Sequence, residues 1–228
     1  MSRIMFILIS TPAASPPRDP AFLSLVYACH STNVCSATFT TMPTIPSLHK
    51  LFTYYQGLAE KAIAQVKDAD LHRVLGEDET PDVPSGNSIA VIIQHIAGNA
   101  RSRFTDFLTS DGEKPWRDRE AEFTERPATR EELMADWASG WACLFTALDA
   151  LTDADLERII YIRNEGHTVQ EALHRQLAHY AYHVGQIVLL ARVFVGSAWV
   201  SLSIPRGRSQ AFNAEKFAEE KGRRHFTG

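Results

Sequence analysis

What this chain has little of narrows its function before any motif is read. Its 228 residues include three cysteines, Cys29, Cys35 and Cys143, spaced as neither a CxxC redox pair nor a zinc knuckle. A disulfide scaffold is therefore not expected, and a reducing, cytoplasmic setting is. Charge of one sign is also lacking: Lys+Arg total 23 against Asp+Glu 27, a formal net charge of -4. That balance offers no basic footprint for nucleic acid and no polybasic stripe for anionic lipid. The sequence is read as lacking the ~20-residue apolar run of a membrane-spanning helix, because Arg192 interrupts "VGQIVLLARVFVG". Strand-like alternation is scarce, with "RIIYIR" the one short extended candidate, and there is no internal repeat. A small molecule or another protein is the expected partner, with no nucleic acid and no membrane.

What is present is helical periodicity. Residues 1–41 stand apart, with Pro, Ser and Thr between short apolar scraps and almost no charge. Arg3 ahead of "IMFILI" gives them a weak signal-like look, but a start assigned too far upstream, with Met42 as initiator, is the preferred reading. The domain is taken as 42–228. "SLHKLFTYYQGLAEKAIAQVKD" carries one apolar stripe at three- and four-residue steps. Asn87 or Ser88 can cap a second helix, "IAVIIQHIAGNARSRFTDFL", expected to run to the Asp111-Gly112 turn. The charged "EKPWRDREAEFTERPA" reads as a long connection. Thr129 with Glu132, and Thr168 with Glu171, form capping boxes that open a third and a fourth helix. The fold expected is all-α, a four-helix bundle with an irregular C-terminal tail that packs across it.

Within the fourth helix, "RQLAHYAYHVGQIVLLA" places His179 and His183 one turn apart on one face. Gln176, His179, His183 and Gln186 form a polar seam beside Leu173, Val184 and Ile187, where a bundle would otherwise bury leucine. Leaving four such groups buried without partners would cost about 1 to 3 kcal/mol each, so something must compensate them. His95 stands in the same way in the apolar second helix, with Gly98 allowing close approach and Asn99 one turn on. One histidine from the second helix and an HxxxH pair from the fourth can supply three nitrogens to one divalent ion. Zn(II) or Ni(II) suits such a set best, with Fe(II) or Mn(II) next and an open position for water or substrate. Asn99, Gln176 and Gln186 are candidates to orient the imidazoles or bind substrate. Arg103, Arg163 and Arg206 are candidates for anion recognition. Glu171 lies about two turns from His179, so a general base would have to come from the connecting loop or from Glu165.

The histidine pattern, together with "NSIAVIIQHIAGNARSRFTDFLTSDGEKPWRDRE", "RQLAHYAYHVGQI" and "LSIPRGRS", resembles the DinB/YfiT-like superfamily, in an uncharacterised bacterial domain-of-unknown-function branch. The likeness spans roughly Ile45 to Asn213. It implies a metal-binding four-helix bundle, often dimeric, in which His95, His179 and His183 hold Zn or Ni. It also implies transferase or isomerase chemistry with low-molecular-weight thiols such as bacillithiol, mycothiol or glutathione. A thiol-dependent transferase acting on a small electrophile is the leading expectation. A metal-dependent hydrolase and a non-catalytic metal-binding or interaction bundle remain the alternatives.

Overall fold

The computed structural model describes residues 44–76 and 86–222. The chain divides into Met1–Thr41 and Met42–Gly228, and all described residues belong to the second unit. The N-terminal appendage, with Cys29 and Cys35, lies outside the described residues, as do Pro81, Pro84 and His225.

The domain is mostly helical: α1 Thr44–Ile63, α2 Ile89–Phe104, α3 Arg119–Glu122, α4 Arg130–Asp149, α5 Val169–Val195 and α6 Ser209–Ala218. A hairpin of β1 Ile159–Ile162 and β2 Glu165–Thr168 precedes α5. The helix starts follow from local chemistry. Ser88 Oγ accepts the Val91 N–H at 3.1 Å, and both capping boxes close as their Thr and Glu spacing requires. Helix α2 packs chiefly on α4, and α1 on α5, with α2 also meeting α5. Between α2 and α4 the approach is close: a Cβ at Gly140 would stand 2.7 Å from Ala97 Cα. Phe52, Trp137, Trp141 and Tyr180 fill the centre, with edge-to-face contacts among Phe52, Trp141 and Tyr180. Each such side chain contributes about 1.5–3 kcal/mol of hydrophobic stabilisation.

Four expectations are corrected. Helix α2 stops at Phe104, not at the Asp111-Gly112 turn, because Thr105 is extended with ψ 126°. Asp111 instead accepts the backbone N–H groups of Glu113 at 2.7 Å and of Arg163 and Asn164 at 2.8 Å, stitching the α2–α3 connection to the hairpin. The fold is not all-α: β1 and β2 pair antiparallel through a two-residue Arg163-Asn164 turn, both at positive φ, 56° and 61°. The extended candidate "RIIYIR" contains β1, whereas the four residues of β2, EGHT, are too few and too polar to stand out in the sequence. The tail does not pack across the helices. Val200 exchanges two hydrogen bonds with Gln65, at 2.8 and 3.1 Å, and Trp199 and Leu202 touch the core, but α6 has no buried residue. Its Phe212 and Phe217 are five residues apart, about 140° around a helix, and share no face. Finally, Val169–Ala198 is by length and composition long and apolar enough to cross a membrane, at a mean hydropathy of 1.3. Here one side of that helix carries core residues Leu173, Tyr180, Val184 and Ile187 together with the imidazoles.

Candidate metal centre

Helices α2 and α5 bring His95, His179 and His183 together, with one potential ligand nitrogen of each within 4.8 Å of the others. His95 and His183 are buried and His179 is half-buried. His179 Nε2 lies 3.2 Å from His95 Nε2 and 3.1 Å from His183 Nε2. Metal–nitrogen bonds of about 2.0–2.1 Å at octahedral to tetrahedral angles need nitrogen separations of about 2.8–3.4 Å, so these two separations fit a shared ion.

Proton accounting reaches the same conclusion. His95 Nδ1 stands 3.0 Å from Glu122 Oε2, and a carboxylate has no proton to give, so Nδ1–H is the donor. His183 Nδ1–H donates in the same way to Gln186 Oε1 at 2.8 Å. In the neutral form, each ring so held turns an Nε2 lone pair inward. His179 Nε2 faces both, and a single proton there can satisfy only one. Adding a proton is disfavoured too. Burial, then the neighbouring His183 and His95, push the His179 pKa down to about 3, and burial pushes His183 down to about 4. Three converging lone pairs short of protons are the donor set a divalent cation satisfies.

Glu122 is the residue sequence reasoning missed. It closes α3, which Asp118 caps by accepting the Ala121 N–H at 3.0 Å. Both its oxygens meet Arg117, Nε to Oε1 at 2.7 Å and Nη2 to Oε2 at 2.8 Å, in a bidentate pair. Burial alone would raise the Glu122 pKa, but the Arg117 hydrogen bonds and His95 outweigh it and hold the carboxyl below its ordinary value. Arg117 is lifted in return: burial opposes its charge, and Glu122 more than compensates. The chain from Arg117 through Glu122 to His95 fixes the ring's orientation and strengthens its Nε2 as a donor. Gly98 makes room, since a Cβ there would fall 2.2 Å from Glu122 Oε1. That helical glycine was the signal in the sequence. It marked a close approach, though not the residue that makes it.

The other candidates divide. Gln176 Nε2 donates to Asn99 Oδ1 at 2.5 Å, and Tyr180 Oη–H donates to the same oxygen at 3.1 Å, so Asn99 and Gln176 satisfy one another beside the triad. Only Gln186 of the three amides meets a ligand-candidate imidazole. His179 Nδ1 hydrogen-bonds no group among the described residues. Arg103 and Arg163 lie at the site: with His95, Asn99, Arg117, Arg119, Arg175, Gln176 and His179 they line a cleft of about 260 Å³. Arg206 does not join them and sits exposed in the tail. Glu171 is occupied in its capping box, and Glu165 is exposed on β2. Of the remaining histidines, His72 pairs with Glu125 and with Ala128 O, and His49 contacts Thr53 and Asp149.

A family described as "Protein of unknown function (DUF1572)" matches residues 41–208. No curated protein matches the chain.

Proposed function

The chain belongs to the DUF1572 family, and from that premise we propose that it is a divalent-metal-dependent enzyme of the DinB-like four-helix superfamily. Its reaction, in this reading, is transfer of a low-molecular-weight thiol to a small electrophile. The observation that carries the reading is the set of three inward nitrogens, two of them fixed by outer partners, Glu122 and Gln186. His95, His179 and His183 would hold Zn or Ni. When bound, such an ion supplies positive charge that favours the thiolate of an incoming thiol.

The protein's own groups then bear on the choice between transferase and hydrolase. A hydrolase needs a base beside the reacting centre. Glu122 is the carboxylate that touches an imidazole of the triad, and it is spent: Arg117 and His95 engage both oxygens and keep it ionised, a poor proton acceptor. Glu165 and Glu171 stay elsewhere. Thiol transfer asks for no such base, because the thiolate is already the nucleophile. No protein cysteine is required either, and Cys143 meets Thr105 Oγ1 at 3.5 Å at the α2–α4 contact.

The test is elemental analysis of full-length protein purified without a nickel column, beside His95→Ala and His179→Ala/His183→Ala. About one equivalent of Zn or Ni per chain, lost in both variants, is expected. The metal-loaded protein should then consume a thiol in the presence of an electrophile, and His183→Ala should not. Absence of metal after loading at neutral pH would end the reading. Incorporation of solvent oxygen into the product would move it to the hydrolase.

A further inference from the structure

The cleft beside the triad is built almost entirely of one residue type. Arg103, Arg117, Arg119, Arg163 and Arg175 line it with Asn99 and Gln176, and the rings of His95 and His179 form one wall. Three carboxylates answer these five guanidiniums. Glu113 takes Arg103 at 3.2 Å, Arg117 at 3.4 Å and Arg163 at 2.9 Å, and Glu122 takes Arg117. Arg119 pairs with Glu120 at the surface and lies over the Phe123 ring, and Arg175 meets no carboxylate among the described residues. Two positive charges in a small cleft are thus left over. The arginines come from five separate pieces of chain: α2, the connection into α3, α3 itself, the hairpin turn and α5. A surface arginine is normally free to turn into water, but Arg103 and Arg117 have side chains only 7% and 2% exposed. Crowding like charges at low exposure is costly, and a bound counter-anion offsets it.

We propose that this cleft binds a small-molecule polyanion, carrying at least two carboxylate or phosphate groups, with its reacting end against His95 and His179. Planar guanidiniums match either oxyanion bidentately, and Asn99 and Gln176 offer polar contacts to the less charged part of the molecule. The proposal deepens the thiol-transfer reading and rests on it only for the identity of the reacting end: one reactant, thiol or electrophile, is multiply anionic. An uncharged thiol paired with an uncharged electrophile would make poor use of the site.

Isothermal titration of the full-length protein, stripped of metal with the uncharged chelator phenanthroline, tests the cleft apart from the metal. Tricarballylate supplies carboxylates, pyrophosphate supplies phosphates, and glycerol is the uncharged control. Saturable binding of about one anion per chain is expected, weakened by added salt and weakened about tenfold by Arg175→Ala and by Arg119→Ala. Arg175→Lys should restore part of the loss. Both positions are exposed, so the variants are expected to fold, which circular dichroism checks. The anion that binds reports which oxyanion the cleft prefers. No saturable binding of either anion, or binding indifferent to both substitutions, overturns the proposal. Because the titration needs no metal, its failure is distinct from failure of the metal centre, which metal content alone decides.

Discussion

Helices α2 and α5 aim imidazoles at the same point from opposite surroundings. Every residue of α2 from Ile89 to Ala100 is buried, polar ones included, whereas α5 buries one side and leaves Tyr182, Leu189 and Val193 open to solvent. Their histidines differ accordingly. His95 on α2 is held from behind by a buried carboxylate and arginine, while His179 on α5 is half-buried and has no outer partner among the described residues. The contrast separates two tasks. The α2 side is a rigid wall that fixes one donor, and the α5 side carries the less buried of the two rings that border the arginine cleft. Preorganisation belongs to the first and access to the second.

The largest blow to this contrast should come from the wall itself. Gly140→Ala on α4 drives a methyl group into the backbone of α2 at Ala97, where neither helix has a flexible side chain to yield. A loss of about 1–3 kcal/mol is expected, read as a lower melting temperature with metal stoichiometry retained in whatever remains folded. An unchanged melting temperature would mean that the two helices can part freely.

Glu122→Gln tests the latch with little change of volume. The amide keeps a hydrogen-bond acceptor for His95 but gives up the charge that pairs with Arg117. Metal affinity should fall about 10- to 100-fold. Gly98→Ala should act in the same direction, since its new methyl group takes the space of Glu122 Oε1. A Gln186→Ala change at His183 should cost less, because that partner is an uncharged amide at the edge of the site. Competition with a chromophoric chelator ranks the three, and equal affinities would dissolve the difference between the two helices.

Acid should act mainly through α5. His179 and His183 have pKa values of about 3 and about 4 in the folded chain, lowered first by burial, against about 6.5 when unfolded. Between those limits the unfolded chain binds more protons than the native one, so metal-free protein loses stability as pH falls from about 6.5 toward 4. Glu122, depressed by Arg117 and His95 against the opposing effect of burial, adds to the loss at the acid end. Melting curves across this range should slope in the wild type and flatten in His179→Ala/His183→Ala.

How much of this could be read in advance follows the range of each interaction. The helix starts at Ser88, Thr129 and Thr168 depend on residues three apart, and they were legible. So was the convergence of His95 with His179 and His183, because a lone imidazole in an apolar helix is costly in isolation and three such residues share one solution. Glu122 was not, since its contact with His95 spans 27 residues and it lies in a charged stretch without periodicity. The arginine cleft was only partly visible for the same reason. Arg103 and Arg163 stood out, but Arg117, Arg119 and Arg175 join them only once α3 and the hairpin are folded against α2 and α5. Arg206 looked equivalent in sequence and belongs to a tail that never reaches the cleft.

The smallest effects should come from the outer side of α5 and from α6. Leu189 is 57% exposed and Phe217 85% exposed. Leu189→Gln and Phe217→Ala should therefore each change the stability of the monomeric domain by no more than about 0.5 kcal/mol. That expectation tests the idea that α5 has only one working face. A melting temperature of Leu189→Gln that falls with dilution while the wild type's does not would show the outer side to be covered in solution by another copy of the chain. The apolar row of Tyr182, Leu189 and Val193 would then be an interface, and α5 would match α2 in being buried all round.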